Sequence, residues 1–154
     1  LSLLFLAAGA TAGDQVTKWI ILTRVMDPPR VIEVTSFFNL MLTFNTGVSF
    51  GMFQDFFASR PGTLALLSFA IASLLMIWAL RSCLPGERRG LALVAGGALG
   101  NIIDRWRQGA VTDFLDFHWQ GLHWPAFNAA DVFIFLGAFL ILTSTFLNGT
   151  KNKG

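Results

Sequence analysis

Four long apolar stretches, Leu1–Leu22, Thr63–Leu80, Leu91–Ile103 and Val132–Leu147, constrain this chain more than anything else in it. A helix needs about 20 mostly apolar residues to cross a bilayer core, with about 17 as the lower end. The second and fourth stretches meet that requirement nearly unaided. The third meets it only if the helix continues through Asn101 and Arg105, whose polar groups must then face protein or water. Composition agrees, because only 13% of the 154 residues are charged and 54% are hydrophobic, where a soluble domain carries about 25% charge. The expected fold is membrane α-helical: a single domain over 1–154 with four transmembrane helices, at about 1–23, 62–81, 90–107 and 129–148.

Charge density orients these helices. The short connection Arg81–Gly90 carries Arg81, Arg88 and Arg89, and the tail adds Lys151 and Lys153. The connection Arg24–Arg60 carries only Arg24, Arg30 and Arg60, and Asp104–Asp131 carries Arg105 and Arg107. The excess of Lys and Arg on cytoplasmic loops therefore places both termini and the Arg81–Gly90 loop in the cytoplasm, with both long connections outside. Trp19, Trp78, Trp106, Trp119 and Trp124 all fall near expected span ends, where amphipathic rings favour the interface. At the start, Ala10-Thr11-Ala12 resembles a leader cleavage site, but a basic leading segment is missing, so a retained first helix is the expectation. The first residue is not Met, so a few residues are expected to precede it.

The first outer connection, about 25–60, reads as an insertion with structure of its own. Val31–Thr35 and Phe37–Phe44 are rich in β-branched and aromatic residues and follow the turn signal Asp27-Pro28-Pro29, which predicts a small sheet on the membrane surface. Gly47–Ala58, with Val48, Phe50, Phe53, Phe56 and Phe57, predicts a short interfacial helix. Glycines and aromatics around Asn45–Gly51 are expected to form a movable cover.

Two aspartates stand out, in Val111-Thr112-Asp113-Phe114 and in Phe127-Asn128-Ala129-Ala130-Asp131. Ionisable groups at the bilayer edge are costly and mark functional sites; if both face one cavity, they have the makings of an aspartic-protease dyad. Asn128-x-x-Asp131 also has the spacing of a capping box, and an acid in the first helical turn is favoured by the helix dipole whatever its role. Asp113 has no such structural reason, whereas Asp116, Asp27 and Asp55 read as solvated acids. In the third span, Gly96 and Gly100 form a small-xxx-small pattern for close helix approach, and Gly97, Asn101 and Arg105 form a second stripe with a polar outer end. That stripe is either helix packing with a snorkelling arginine or support for a site. Asp14 and Lys18, spaced one helical turn apart, are either a self-compensating ion pair or part of the site.

Other chemistries are weakly marked. His118 and His123 could join Asp113 or Asp116 on zinc, but their spacing fits no strong metal motif, so no metal and no cofactor are expected. Cys83, the only cysteine, excludes an intrachain disulfide. A net charge of +2 arises mostly from residues flanking the spans and points to no nucleic acid. The alternative reading is a small proton-coupled transporter or channel component, with Asp14, Asp104 and Asp131 as a relay.

Taken together, Asp14-Gln15-x-x-Lys18, Phe44-Asn45-Thr46-Gly47, Gly97–Arg105, Val111–Phe114 and Phe127-Asn128-x-Ala130-Asp131 resemble, in order and over nearly the whole chain, the lipoprotein signal peptidases, or signal peptidase II. The resemblance implies a multi-pass protease of the bacterial inner membrane, an aspartic endopeptidase with its active site toward the periplasm. It also implies a periplasmic β-cradle and surface helix within 25–60. The implied substrate is a prolipoprotein carrying a diacylglyceryl group, with membrane lipid and cyclic peptide inhibitors of the globomycin type as further partners. By motif, Asp113 and Asp131 would be catalytic; Asp14, Lys18, Asn45, Gly47, Asn101, Asp104, Arg105, Asn128 and Ala130 would bind substrate or support the pair. Val48-Ser49 departs from the small residues usual after Gly47, which bears on surface-helix packing rather than on chemistry. Two carboxylates about 5 Å apart repel by roughly 3 kcal/mol at an effective dielectric of about 20, enough to keep one proton shared near neutral pH.

Overall fold

A computed structural model describes residues 1–47 and 61–151. The surface helix expected over Gly47–Ala58, the cover expected around Asn45–Gly51, Val48-Ser49 and Asp55 therefore lie wholly or largely outside the described residues. Among the described residues, four helices form: α1 (Ser2–Ile20), α2 (Pro61–Arg81), α3 (Pro85–Gln108) and α4 (Ala129–Lys151). The last turn after α1, Ile21–Val25, widens so that the Met26 amide donates to the Ile21 carbonyl at 2.8 Å. α3 begins at Pro85, inside the arginine-rich connection, several residues earlier than its apolar stretch indicates. Proline fits there because the first helical turn has no acceptor for its missing N–H. Gly109, in the left-handed conformation at φ 80°, ends the same helix, and its amide donates to the Arg105 carbonyl.

α3 is the central helix, packed against α1, α2 and α4. Its two glycine stripes face different partners. A side-chain carbon on Gly96 would meet Ala7 of α1, and one on Gly100 would run into the Asp14 carboxylate. On the other stripe, a carbon on Gly97 would sit 2.5 Å from the Ala130 carbonyl oxygen of α4. Close approach here brings backbone and buried polar groups of three helices together.

The burial pattern is that of a protein in lipid. Leu66, Leu67, Phe69 and Leu74 of α2 and Phe135, Phe139 and Leu142 of α4 are exposed, while Asp14, Lys18, Asp104, Arg105 and Asn128 are buried. Gly62–Arg81 and Ala129–Asn148 are long and apolar enough to cross a membrane, and most of each is exposed, unlike the core helices of a soluble protein.

Outside the helices lies one antiparallel sheet, ordered β1 (Ile32–Thr35), β2 (Phe38–Asn45), β3 (Val111–Trp119) and β4 (Leu122–His123). The first two strands match the β-rich segments closely. β3 is an addition to the expected sheet: part of the connection Asp104–Asp131 pairs with β2, with Asn39 opposite Asp116 and Thr43 opposite Asp113. A bulge between Leu40 and Thr43 bends this ladder. Phe114 joins Ile21 and Met26 in a small core that fastens the sheet to the end of the first helix. Asp116, expected to be a solvated loop acid, is instead 1% exposed. It accepts from Asn39 Nδ2 at 3.1 Å and pairs with His123.

Candidate active site

Asp113 and Asp131 line one cavity of about 610 Å³. β3 delivers Asp113 and the first turn of α4 delivers Asp131. Asn45, Asn101 and Arg105 share the polar end, while Val132, Ile134, Phe135 and Ala138 of α4 extend an apolar wall.

Asn128 links the two aspartates. Its Nδ2 donates to Asp113 Oδ1 at 2.6 Å, its backbone N–H donates to Asp131 Oδ2 at 3.1 Å, and its Oδ1 accepts from the Asp131 amide at 3.2 Å. The last two bonds are a reciprocal cap at the start of α4. Cap and cavity-lining roles thus coexist in Asp131, because the cap uses one carboxylate oxygen. Its other oxygen, Oδ1, accepts from Asn101 Nδ2 at 3.2 Å.

Behind this pair lies a buried charge cluster. Lys18 Nζ sits 2.9 Å from Asp14 Oδ2, 2.7 Å from Asp104 Oδ2 and 2.9 Å from Asn101 Oδ1. The ion pair expected from the Asp14–Lys18 spacing forms, and Lys18 also touches the cavity-lining Asn101. Asp14 Oδ1 accepts the Ala130 amide at 2.9 Å, tying α1 to the first turn of α4. Asp104 Oδ2 accepts the Thr112 amide at 3.1 Å, next to Asp113. Gln15, named in the Asp14-Gln15-x-x-Lys18 motif but given no role from the sequence, donates to Asp104 Oδ1 at 2.9 Å and to the Gly100 carbonyl at 3.1 Å. Its place between Asp14 and Lys18 in a polar turn was the available signal. The acids of the proton-relay alternative, Asp14, Asp104 and Asp131, converge on Lys18 and Asn101 in one cluster instead of spreading along the bundle.

Arg105 is buried in the cavity wall, where its Nη2 donates to the Gly47 carbonyl at 2.7 Å. Gly47 in turn donates its amide to Asn45 Oδ1 at 2.9 Å, and Asn45 also hydrogen-bonds Asp113. The end of β2 is thereby held at the site. Arg105 also interacts electrostatically with Asp113, Asp131 and Asp104. Burial, and then the negative charge of Asp131, push the Asp113 carboxyl up to about 7, against the opposing hydrogen bonds of Asn128 and Asn45. Such a group exchanges protons near neutral pH and can serve as acid or base.

The histidines lie elsewhere. His118 and His123 stack with ring centroids 5.1 Å apart, and His123 pairs with Asp116. Among the described residues, no three His, Cys, Asp or Glu side chains are grouped so as to hold a metal ion. Trp124, Pro125, Ala126 and Phe127 complete the cavity's outer wall, a contribution invisible in the sequence because it depends on the β3–β4 hairpin.

The chain is similar to known proteins over nearly its full length. A lipoprotein signal peptidase of Aeromonas hydrophila subsp. hydrophila is 41% identical over 150 residues, covering 96% of this chain and 90% of that protein. One from Serratia marcescens is 37% identical, covering 98% of this chain and 88% of that protein. A bacterial membrane enzyme solved in meso at 2.3 Å resolution superposes with a TM-score of 0.83 at 29% identity, covering 99% of this chain and 92% of that one. Residues 6–147 match the family described as signal peptidase (SPase) II, and with the relatives' identity and coverage this establishes that the chain belongs to that family.

Proposed function

We propose that this member of the signal peptidase II family removes the signal peptide from diacylglyceryl-modified prolipoproteins as an aspartic endopeptidase, with Asp113 and Asp131 as the catalytic pair. One observation carries the reading: the two carboxylates line a single cavity whose polar end continues into an apolar wall along α4. A substrate that is part peptide and part lipid needs those two environments side by side. Its acyl chains stay among apolar side chains and bilayer lipid while the peptide bond reaches the aspartates.

In the free enzyme Asp113 holds the proton and Asp131 the charge, though the proton belongs to the coupled pair. Asp131 takes a proton from a water that attacks the scissile carbonyl. Asp113 donates a hydrogen bond to the carbonyl oxygen as it becomes an oxyanion. As the C–N bond breaks, the proton gained by Asp131 passes to the leaving amine, and each product keeps a complete valence. Asn101 and Asn128 fix the two carboxyls, and Arg105 offsets the local negative charge. Asp14, Lys18 and Asp104 hold Asn101 and the start of α4, and Gly97 leaves room for the Ala130 carbonyl.

All four helices cross the bacterial inner membrane as one domain, with both termini cytoplasmic and the sheet and cavity on the periplasmic side. The arginines of Arg81–Gly90 and the apolar exterior support that orientation. Cyclic peptide inhibitors of the globomycin type would occupy the same cavity. The test is cleavage of a prolipoprotein with and without its diacylglyceryl group, each with and without a chelator. Cleavage restricted to the lipidated form and indifferent to chelation is expected. Loss of activity on chelation would transfer the chemistry to a metal.

A further inference from the structure

The β3–β4 hairpin is short for the work it does. β4 has two residues, paired with β3 only as His118 opposite His123 and Trp119 opposite Leu122. Its turn, Gln120-Gly121, has φ of 49° and 82°, the mirror-image geometry that suits a tight hairpin. A ribbon of two pairs has little stability of its own. Yet the chain leaving it, Trp124 to Phe127, is the outer wall of the cavity, and the next residue is Asn128.

Besides the stacking of Phe127 on Phe117, a polar side-chain pair ties this hairpin to the sheet: the half-exposed His123 meets the buried Asp116. His123 Nδ1 lies 2.9 Å and 3.0 Å from the two oxygens of Asp116, so one N–H is forked between them. The carboxylate is buried and already fixed by Asn39 Nδ2 across the β2–β3 ladder. The histidine ring is oriented by stacking on His118. The Trp124 amide then donates to the Phe117 carbonyl at 2.7 Å and the Phe127 amide to the Leu115 carbonyl at 3.1 Å. Between them Pro125 contributes no N–H, so the wall is pinned at its ends. Asp116 and His123 have no part in the proposed chemistry; their contact explains why a buried acid stands in the strand that carries Asp113.

We propose that the Asp116–His123 pair is a latch that positions the Trp124–Phe127 wall, making both residues positioning residues for substrate binding. The proposal rests on the peptidase reading for its substrate. A wall that touches the substrate equally before and during reaction changes KM and leaves kcat alone. With the diacylated precursor, His123→Ala is expected to raise KM about three- to tenfold at unchanged kcat. His123→Asn places an amide N–H near the lost Nδ1 and should restore KM. In a Trp124→Ala background, His123→Ala should have little further effect, because both act on the same wall. An unchanged KM in His123→Ala, a His123→Asn variant as impaired as His123→Ala, or fully additive effects with Trp124→Ala would each overturn the latch. Amide exchange separates this from the peptidase reading. If the parent protein cleaves no lipidated precursor, the function falls but the latch does not, and it is judged on the Trp124 and Phe127 amides. Faster exchange at both in His123→Ala supports it, and unchanged exchange removes it.

Discussion

Asp113 is the residue on which the proposed chemistry turns, and its environment makes two predictions. With its carboxyl pushed up to about 7 by burial and by Asp131, the proposed acid loses its proton above neutrality. The value of kcat/KM should therefore fall as pH rises through about 7, and a flat profile from pH 6 to pH 9 would remove Asp113 from that role. The same shift affects stability. The folded state binds the Asp113 proton more tightly than the unfolded chain, so this contribution is full below the unfolded value and is lost as pH rises to about 7. Asp113→Asn cannot ionise, so its melting temperature relative to the parent should be higher at pH 8 than at pH 4, measured in detergent micelles. Asp113 and Asp131 were legible from sequence because a carboxylate is conspicuous in an apolar chain. Asp116 was not, because its partners are non-local: Asn39 lies 77 positions away and His123 is brought in by the hairpin.

Among the elements, α3 does the organising, and its contacts set what substitutions it tolerates. Gly97→Ala would place a carbon 2.5 Å from the Ala130 carbonyl, which must move α4 and Asp131 with it. Overpacking of this kind costs about 1–3 kcal/mol, to be read as a lower unfolding midpoint, and cleavage should fall further than stability. Lys18→Met acts between helices. It leaves Asp14 and Asp104 buried without their cation, a change that costs about 3–5 kcal/mol in comparable buried pairs. A midpoint equal to the parent's would mean that the two acids are neutral or independently satisfied. The helices and first two strands were legible because apolar runs and β-branched clusters are local signals. β3 was not, since Phe114 and Leu115 break the alternation expected of a half-buried strand, and the strand depends on β2 for its definition.

At the scale of the whole molecule, the chain is apolar outside and charged within, the arrangement a bilayer selects. The long apolar runs announced α2 and α4. α1 and α3 carry Asp14, Lys18, Asp104 and Arg105, and only the fold reveals that these residues face one another and the cavity. Orientation can be read at Cys83, an exposed thiol and the only cysteine. In intact spheroplasts a membrane-impermeant maleimide should leave it unlabelled until the membrane is opened; labelling before lysis would invert the topology. The cavity joins these scales, since residues from the sheet and helices build one site with a polar and an apolar end. Whether the two aspartates cut a lipidated peptide is decided by turnover of diacylated prolipoprotein by Asp113→Asn and Asp131→Asn beside the parent. Each variant should insert and remain folded, yet lose roughly 10²–10⁴-fold in cleavage rate or more, whereas near-parental turnover by either would contradict the account.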